Sequence, residues 1–217
     1  MDKSFWGPST WCMIHCAAAS YRPENRASFK QFIYSLTQLL PCDICKQHLT
    51  KNLKTIPLTD NVLRDNRSAL MWSYFLHDLV NKQLNKPSSP PFSAVENHYM
   101  SVVKNNQAWG PCFWRAMHAF ASAYQSTPQS VVAFKNFIYS LTGVLPCIPC
   151  RDSYQSKLSV IPLTNNYFKD GNTLFMWTYH LHSLVNKELG KMTPPYQTIK
   201  SEYFNDNVCK SCSSSFS

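Results

Sequence analysis

The chain repeats itself. FKQFIYSLTQLLPCDIC at residues 29–45 returns as FKNFIYSLTGVLPCIPC at 134–150, an offset of 105. WGPSTWCMIH at 6–15 returns as WGPCFWRAMH at 109–118, an offset of 103, so the second copy has two residues inserted between Tyr124 and Phe134. MWSYFLHDLVNKQLNK at 71–86 returns as MWTYHLHSLVNKELGK at 176–191. Self-similarity on this scale means one folding unit used twice, and 217 residues divide into two units of ordinary small-domain size. The organisation expected is a first copy at 1–105, a second at 106–207, and a flexible Cys-containing tail at 208–217 with too little apolar content to pack.

Within a copy the apolar spacing is helical. Trp11, Ile14, His15 and Ala18 form a stripe at steps of three and four, after the helix-initiating Pro8, Ser9 and Thr10. A second helix is expected over 26–40, stopping before Pro41 because a residue preceding proline avoids the α region. A third starts near Cys42 and ends before Pro57, a fourth covers about 67–85, and a short fifth follows Pro91. No segment sustains the two-residue alternation of a strand. The fold class expected is all-α: two tandem four-helix bundles, each with a short fifth helix.

Hydrophobic residues make up 44% of the chain, enough for a packed core. The apolar stretches are short and broken by Ser, Thr and Gln, so none is expected to span a bilayer. The start, MDKSFWGP, lacks the apolar segment of a secretory signal, and the expected location is the cytoplasm. The formal charge of +9 comes from scattered Lys and Arg, with no run or stripe of the kind that tracks nucleic acid. A basic surface with some charge directed at a bound anion fits better.

Nine cysteines in such a chain point to redox or metal chemistry. Six form three Cys-x-x-Cys pairs: Cys42/Cys45, Cys147/Cys150 and Cys209/Cys212. The remaining Cys12, Cys16 and Cys112 are expected to be small buried apolar residues. The first two pairs each follow a proline where one helix ends and the next begins, which places the thiols in a first helical turn. There the free N–H groups and the helix dipole favour thiolate, and Lys46 or Arg151 adds positive charge. The two-residue gap suits a readily exchanged disulfide. The alternative is structural zinc, but zinc knuckles normally lie about 15–20 residues apart, not 105 apart on bundled helices; no metal site is expected.

The fourth helix carries Tyr74, His77 and Asn81 on one face, followed by Lys82 and Lys86; copy two has Tyr179, His182, Asn186, Lys187 and Lys191. Together with Trp11 and His15, or Trp114 and His118, these give aromatic, imidazole, amide and ammonium groups, an inventory suited to an aromatic ring system joined to phosphates. No Gly-rich phosphate loop is present, which excludes a Rossmann-type nucleotide site.

The combined pattern, WGP..W...H, then PC..C..H (with Ser153 in place of His48 in copy two), then W.Y..H..VN....K, resembles the Erv/ALR family of FAD-linked sulfhydryl oxidases over nearly all of both copies. The resemblance implies a four-helix bundle with a short fifth helix and FAD held at one end. By matching position it implies FAD contacts from Gly7, Trp11, His15, Tyr21, Trp72, His77, Asn81, Lys82 and Lys86, and from Gly110, Trp114, His118, Tyr124, Trp177, His182, Asn186, Lys187 and Lys191. Cys42 and Cys147 would exchange with a substrate thiolate, Cys45 and Cys150 would lie against the flavin, and electrons would pass to O2 to give H2O2. Cys209 and Cys212 would form a shuttle dithiol on the tail. The implied partners are protein dithiols or a thioredoxin-like relay protein. Neither copy has the family's Cys-x16-Cys disulfide, a lack shared with the small oxidases of large cytoplasmic DNA viruses, so the host cytoplasm or virion is the expected setting. The two copies could pair within the chain or as a homodimer. The second class of function is a duplicated scaffold with one catalytically active copy.

Overall fold

The computed structural model of the protein describes residues 1–204. Copy one forms α1 (Lys3–Ala19), α2 (Arg26–Leu39), α3 (Asp43–Thr55), α4 (Asn66–Gln83) and α5 (Phe92–Val102). Copy two forms α6 (Asn106–Ser122), α7 (Pro128–Val144), α8 (Ile148–Val160), α9 (Gly171–Glu188) and α10 (Tyr196–Tyr203). No strand occurs among the described residues, and no helix there is long and apolar enough to cross a membrane.

The helix ends follow from local chemistry. Leu40 and Leu145 turn to ψ of 136° ahead of Pro41 and Pro146, which stops α2 and α7. The Asp65 and Asp170 carboxylates cap α4 and α9 by accepting from Ser68 N and Thr173 N, both at 2.7 Å. The start of α1 differs from the expectation at Pro8: the helix begins at Lys3, where the Asp2 carboxylate accepts from Ser4 N at 2.8 Å. Pro8 then sits inside the helix on its exposed side, and the carbonyl four residues back belongs to the exposed Ser4, where water can satisfy it. Pro111 is likewise exposed inside α6.

Within each copy α1 packs on α4 and α5, α2 on α3, α6 on α9, and α7 on α8. The copies meet along α1 against α6 and α2 against α7, the latter the most extensive helix pair in the molecule. Equivalent residues face each other there. Phe32 and Phe137 stack with ring centroids 6.1 Å apart, and Gln31 Nε2 donates to Asn136 Oδ1 at 2.9 Å. Self-pairing of equivalent positions marks a two-fold interface, here closed within one chain. One contiguous apolar cluster runs through both copies, so the interface is core in character.

Cys12 and Cys112 are not the small apolar residues expected: they form a disulfide from α1 to α6, with Cα atoms 6.0 Å apart. The bond breaks the two-fold symmetry, because the repeat equivalents of Cys12 and Cys112 are Arg115 and Ser9. Only the packing of two distant helices brings the thiols together. Cys16 is fully buried, as expected, and burial pushes its thiol up to about 12.

Candidate functional site

Each copy carries a disulfide and a histidine pair at equivalent positions. Cys42–Cys45 and Cys147–Cys150 are disulfide-bonded at the starts of α3 and α8. Cys42 and Cys147 are the capping residues themselves: Cys42 Sγ accepts from Cys45 N, and Cys147 Sγ from Cys150 N, both at 3.3 Å. The amide that would otherwise be orphaned at the helix start thus points at the sulfur of Cys42 or Cys147.

Helices α1 and α4 bring His15 and His77 together. His15 Nε2 lies 3.0 Å from His77 Nδ1, and Trp11 stacks on the His77 ring at 4.0 Å and 6°. Copy two reproduces this with His118 Nε2 3.1 Å from His182 Nδ1 and Trp114 on His182 at 4.1 Å and 7°. Burial holds all four imidazoles neutral: His15 and His118 fall to about 3, and His77 and His182 to about 4, where Lys86 and Lys191 respectively add positive charge nearby. Behind the inner imidazoles lie Ser73 and Thr178, and Tyr99 and Tyr203 pack on the His15 and His118 rings at 4.7 and 5.6 Å.

The lysines return to the site through a left-handed turn. Asn85 at φ 51° and Gly190 at φ 64° end α4 and α9, and the next amides, Lys86 N and Lys191 N, donate back to Asn81 O at 2.9 Å and Asn186 O at 2.8 Å. This closing turn explains the spacing of asparagine and lysine in the repeated VN....K segment: a step of five positions spans the C-terminal turn and sets the lysine beside it.

In copy two a cavity of about 600 Å³ unites Gly110, Trp114, His118, His182, Asn186 and Lys191 with Cys147 and Cys150 on its wall. That size is ordinary for a small-molecule site. A Cβ added to Gly110, or to its equivalent Gly7, would meet nothing within 4 Å. Glycine inside a helix is costly relative to alanine, so its use at both positions fits close approach of a flat ligand. The indole N–H groups of Trp6 and Trp109 are buried with no partner among the described residues, and Trp109 lines the cavity. An orphaned donor in this wall fits a ligand rich in acceptors.

Four of the residues singled out by sequence direct their polar tips to main-chain carbonyls. Tyr21 and Tyr124 are buried, with hydroxyls that donate to Leu63 O at 2.9 Å and Phe168 O at 3.5 Å. Trp72 Nε1 donates to Ile56 O at 2.8 Å, and Trp177 Nε1 to Ile161 O at 3.1 Å. These side chains hold the loop before α4 or α9 against the bundle, and neither Tyr124 nor Trp177 lines the cavity. Lys82 pairs with Asp78 at 2.8 Å on the surface, and Lys187 is not among the cavity residues. The residues missed were Trp6 and Trp109, Ser73 and Thr178, and Tyr99 and Tyr203. Their signal was present in the repeat, which keeps an indole, a hydroxyl and a phenol at equivalent places. Cys209 and Cys212 lie outside the described residues.

The Erv1/Alr family model matches residues 8–100 and again 111–205. An FAD-linked sulfhydryl oxidase of African swine fever virus, isolate Tick/Malawi/Lil 20-1/1983, is 36% identical over 101 residues, 44% of this chain and 79% of that protein. The protein of the same name from isolate Pig/Kenya/KEN-50/1950 matches to the same extent. The FAD-linked sulfhydryl oxidase ERV1 of Oryza sativa subsp. japonica is 27% identical over 94 residues, 42% of this chain and 47% of that protein. No solved structure matches the chain at a significant level.

Proposed function

The chain belongs to the Erv1/Alr family, and on that premise we propose that it is an FAD-linked thiol oxidase that forms disulfides in protein dithiols. The balance is one dithiol and one O2 to one disulfide and one H2O2. The observation that carries this reading is the Cys147–Cys150 disulfide in the wall of the cavity that Trp114, His118, His182, Asn186 and Lys191 complete.

A substrate thiolate attacks Cys42 or Cys147, the S–S bond opens, and the displaced Cys45 or Cys150 leaves as thiolate. A second substrate thiolate resolves the mixed disulfide, which releases oxidised substrate and leaves the enzyme pair reduced by two electrons. The helix N-terminus supports the negative charge, since its amides and dipole face the sulfurs. FAD bound in the cavity supplies the two-electron acceptor and the route to O2. The groups that would hold it are the Trp–His stacks, the asparagine and lysine at the end of α4 or α9, and the indole donors of Trp6 and Trp109. In copy one the corresponding groups are Gly7, Trp11, His15, His77, Asn81 and Lys86, and both copies are proposed to turn over. Tyr21, Trp72, Tyr124 and Trp177 frame the site from the core.

Oxygen consumption with a small dithiol tests the proposal. Cys45→Ser and Cys150→Ser should each remove part of it and the double variant nearly all; full activity in the double variant would overturn the assignment.

A further inference from the structure

Each outer histidine is wired, through the inner one and a hydroxyl, to a main-chain carbonyl. Ser73 Oγ lies 2.8 Å from Leu70 O and 2.9 Å from His15 Nδ1, and Thr178 Oγ1 lies 2.8 Å from Phe175 O and from His118 Nδ1. A hydroxyl has one proton to give. A carbonyl oxygen can only accept, so the close contact with Leu70 O or Phe175 O requires that proton. The hydroxyl must then accept from the imidazole, and His15 and His118 carry their proton on Nδ1. Their Nε2 atoms are consequently bare and must accept, which places the proton of His77 and His182 on Nδ1 as well. The outer Nε2 atoms emerge as lone pairs with no protein partner among the described residues. Burial keeps both rings of each pair neutral at physiological pH, so the wiring does not dissolve into doubly protonated imidazolium.

We propose that Ser73 and Thr178 are positioning residues that fix the tautomer of the histidine relay, so that His77 Nε2 and His182 Nε2 accept a hydrogen bond from an N–H or O–H group of the bound flavin nucleotide. This rests on the proposed function for the identity of the ligand, but the wiring itself does not. A site so arranged discriminates by chemistry: a ligand donor opposite the lone pair is bound, and an acceptor there is refused, because an unmatched polar contact in a largely buried site costs more than a matched one gains. The two copies supply their own control, since one uses serine and the other threonine at the same place.

The test reads the imidazole nitrogens directly, by long-range 1H–15N correlation on the 15N-labelled full chain purified with its flavin, with flavin retention measured alongside. The wild type should show Nδ1–H and bare Nε2 at all four site histidines. Ser73→Thr and Thr178→Ser should preserve that pattern and flavin affinity. Ser73→Ala should change the tautomers of His15 and His77 alone and weaken flavin binding to copy one about tenfold or more, with Thr178→Val doing the same to His118 and His182 in copy two. An Nε2–H tautomer at His77 or His182 in the wild type overturns the proposal whether or not the variants fold. So does Ser73→Ala or Thr178→Val protein with unchanged tautomers, or with changed tautomers and unchanged affinity. Protein that binds no flavin yet shows the Nδ1–H pattern would instead refute the proposed cofactor and leave the wiring standing.

Discussion

The two copies agree at their histidines and diverge around their thiols. Between Cys42 and Cys45 stands Asp43, whose exposed carboxylate is paired with Lys46 at 2.9 Å. Between Cys147 and Cys150 stand Ile148 and Pro149, and the following Arg151 turns inward, half-buried, to donate from Nε to Leu145 O at 2.6 Å. Nearly two helical turns further on, copy one joins α3 to α4 through two amide hydrogen bonds between Asn52 and Gln83, at 3.1 and 2.8 Å. At the equivalent places copy two has an ion pair, Lys157 with Glu188, which also accepts from Ser153 at 2.7 Å. The fold accepts neutral or charged partners at that joint because each pair ties the same two helices together at an edge where one partner stays exposed. What does not vary is the Trp–His–His–hydroxyl series, where a changed group would alter what the site presents to a ligand.

The largest effect should come from the one layer the copies share. Phe32 and Phe137 are fully buried against each other, and truncation of either to alanine should cost about 3–5 kcal/mol. If the interface is two-fold in its energetics as well as its geometry, the urea midpoints of the Phe32→Ala and Phe137→Ala proteins will coincide. Widely separated midpoints would show that one copy leans on the other.

The Cys12–Cys112 bond comes next. It closes a loop across 100 residues of sequence, for which chain entropy gives up to about 4.7 kcal/mol and typical disulfides give about 2–4. The Cys12→Ser, Cys112→Ser double variant should therefore melt several degrees lower than the oxidised wild type. It should also leave the oxidation of a small dithiol largely unchanged. Loss of activity in proportion to the loss of the bond would place this disulfide in the electron path and end its description as a staple.

The histidines should behave alike in both copies and make the chain acid-sensitive. Their folded values, about 3 and about 4, lie below the ordinary 6.5. The unfolded chain therefore takes up protons that the folded chain refuses, and stability must fall as pH drops from about 6.5 towards 4. The carboxylates lowered by capping, Asp65 and Asp170, act only below their ordinary value of 3.8, so the interval from 6.5 to 4.5 belongs to the imidazoles. Urea midpoints at pH 7 and pH 5, at constant flavin saturation, measure the fall. A midpoint that does not move would mean the rings are not buried as neutral groups.

How much of this was legible beforehand depended on whether a feature is local. The ends of α2 and α7 were readable because proline acts on the residue beside it, and the histidine face was readable because helical spacing puts His77 and Asn81 on one side. The start of α1 was not, since Pro8 is tolerated inside a helix once its unpaired carbonyl faces water. Tyr21 and Trp72 were identified by type and place in the motif, but neither says which way a polar tip points, and here both tips bond to loop carbonyls. The Cys12–Cys112 pair was out of reach, as it depends on how α1 lies across α6. Ser73 and Thr178 looked like unremarkable helix residues until the distance to a histidine gave them a role.

The smallest expected difference is the most specific to the comparison. In copy one the carboxylate of Asp43 and the ammonium of Lys46 offset each other beside the sulfurs, whereas in copy two Arg151 stands without an acid inside the motif. A charge at a helix terminus is worth about 0.3–1 kcal/mol to an anion there. That stabilises the thiolate of Cys147/Cys150 and hence the reduced form, which makes the second couple the more oxidising by about 6–20 mV for a two-electron exchange. The measurement should use the full chain, because the shared core ties the copies together. Cys42→Ser with Cys45→Ser leaves the second couple, and Cys147→Ser with Cys150→Ser leaves the first. Each is equilibrated against a dithiol buffer and read by alkylation and peptide mass. Asp43→Asn should then move the first couple in the oxidising direction and close part of the gap, since it removes the acid and frees Lys46. Equal potentials in the two proteins, or a first couple more oxidising than the second, would show that the charges around the motif do not set the poise of these disulfides.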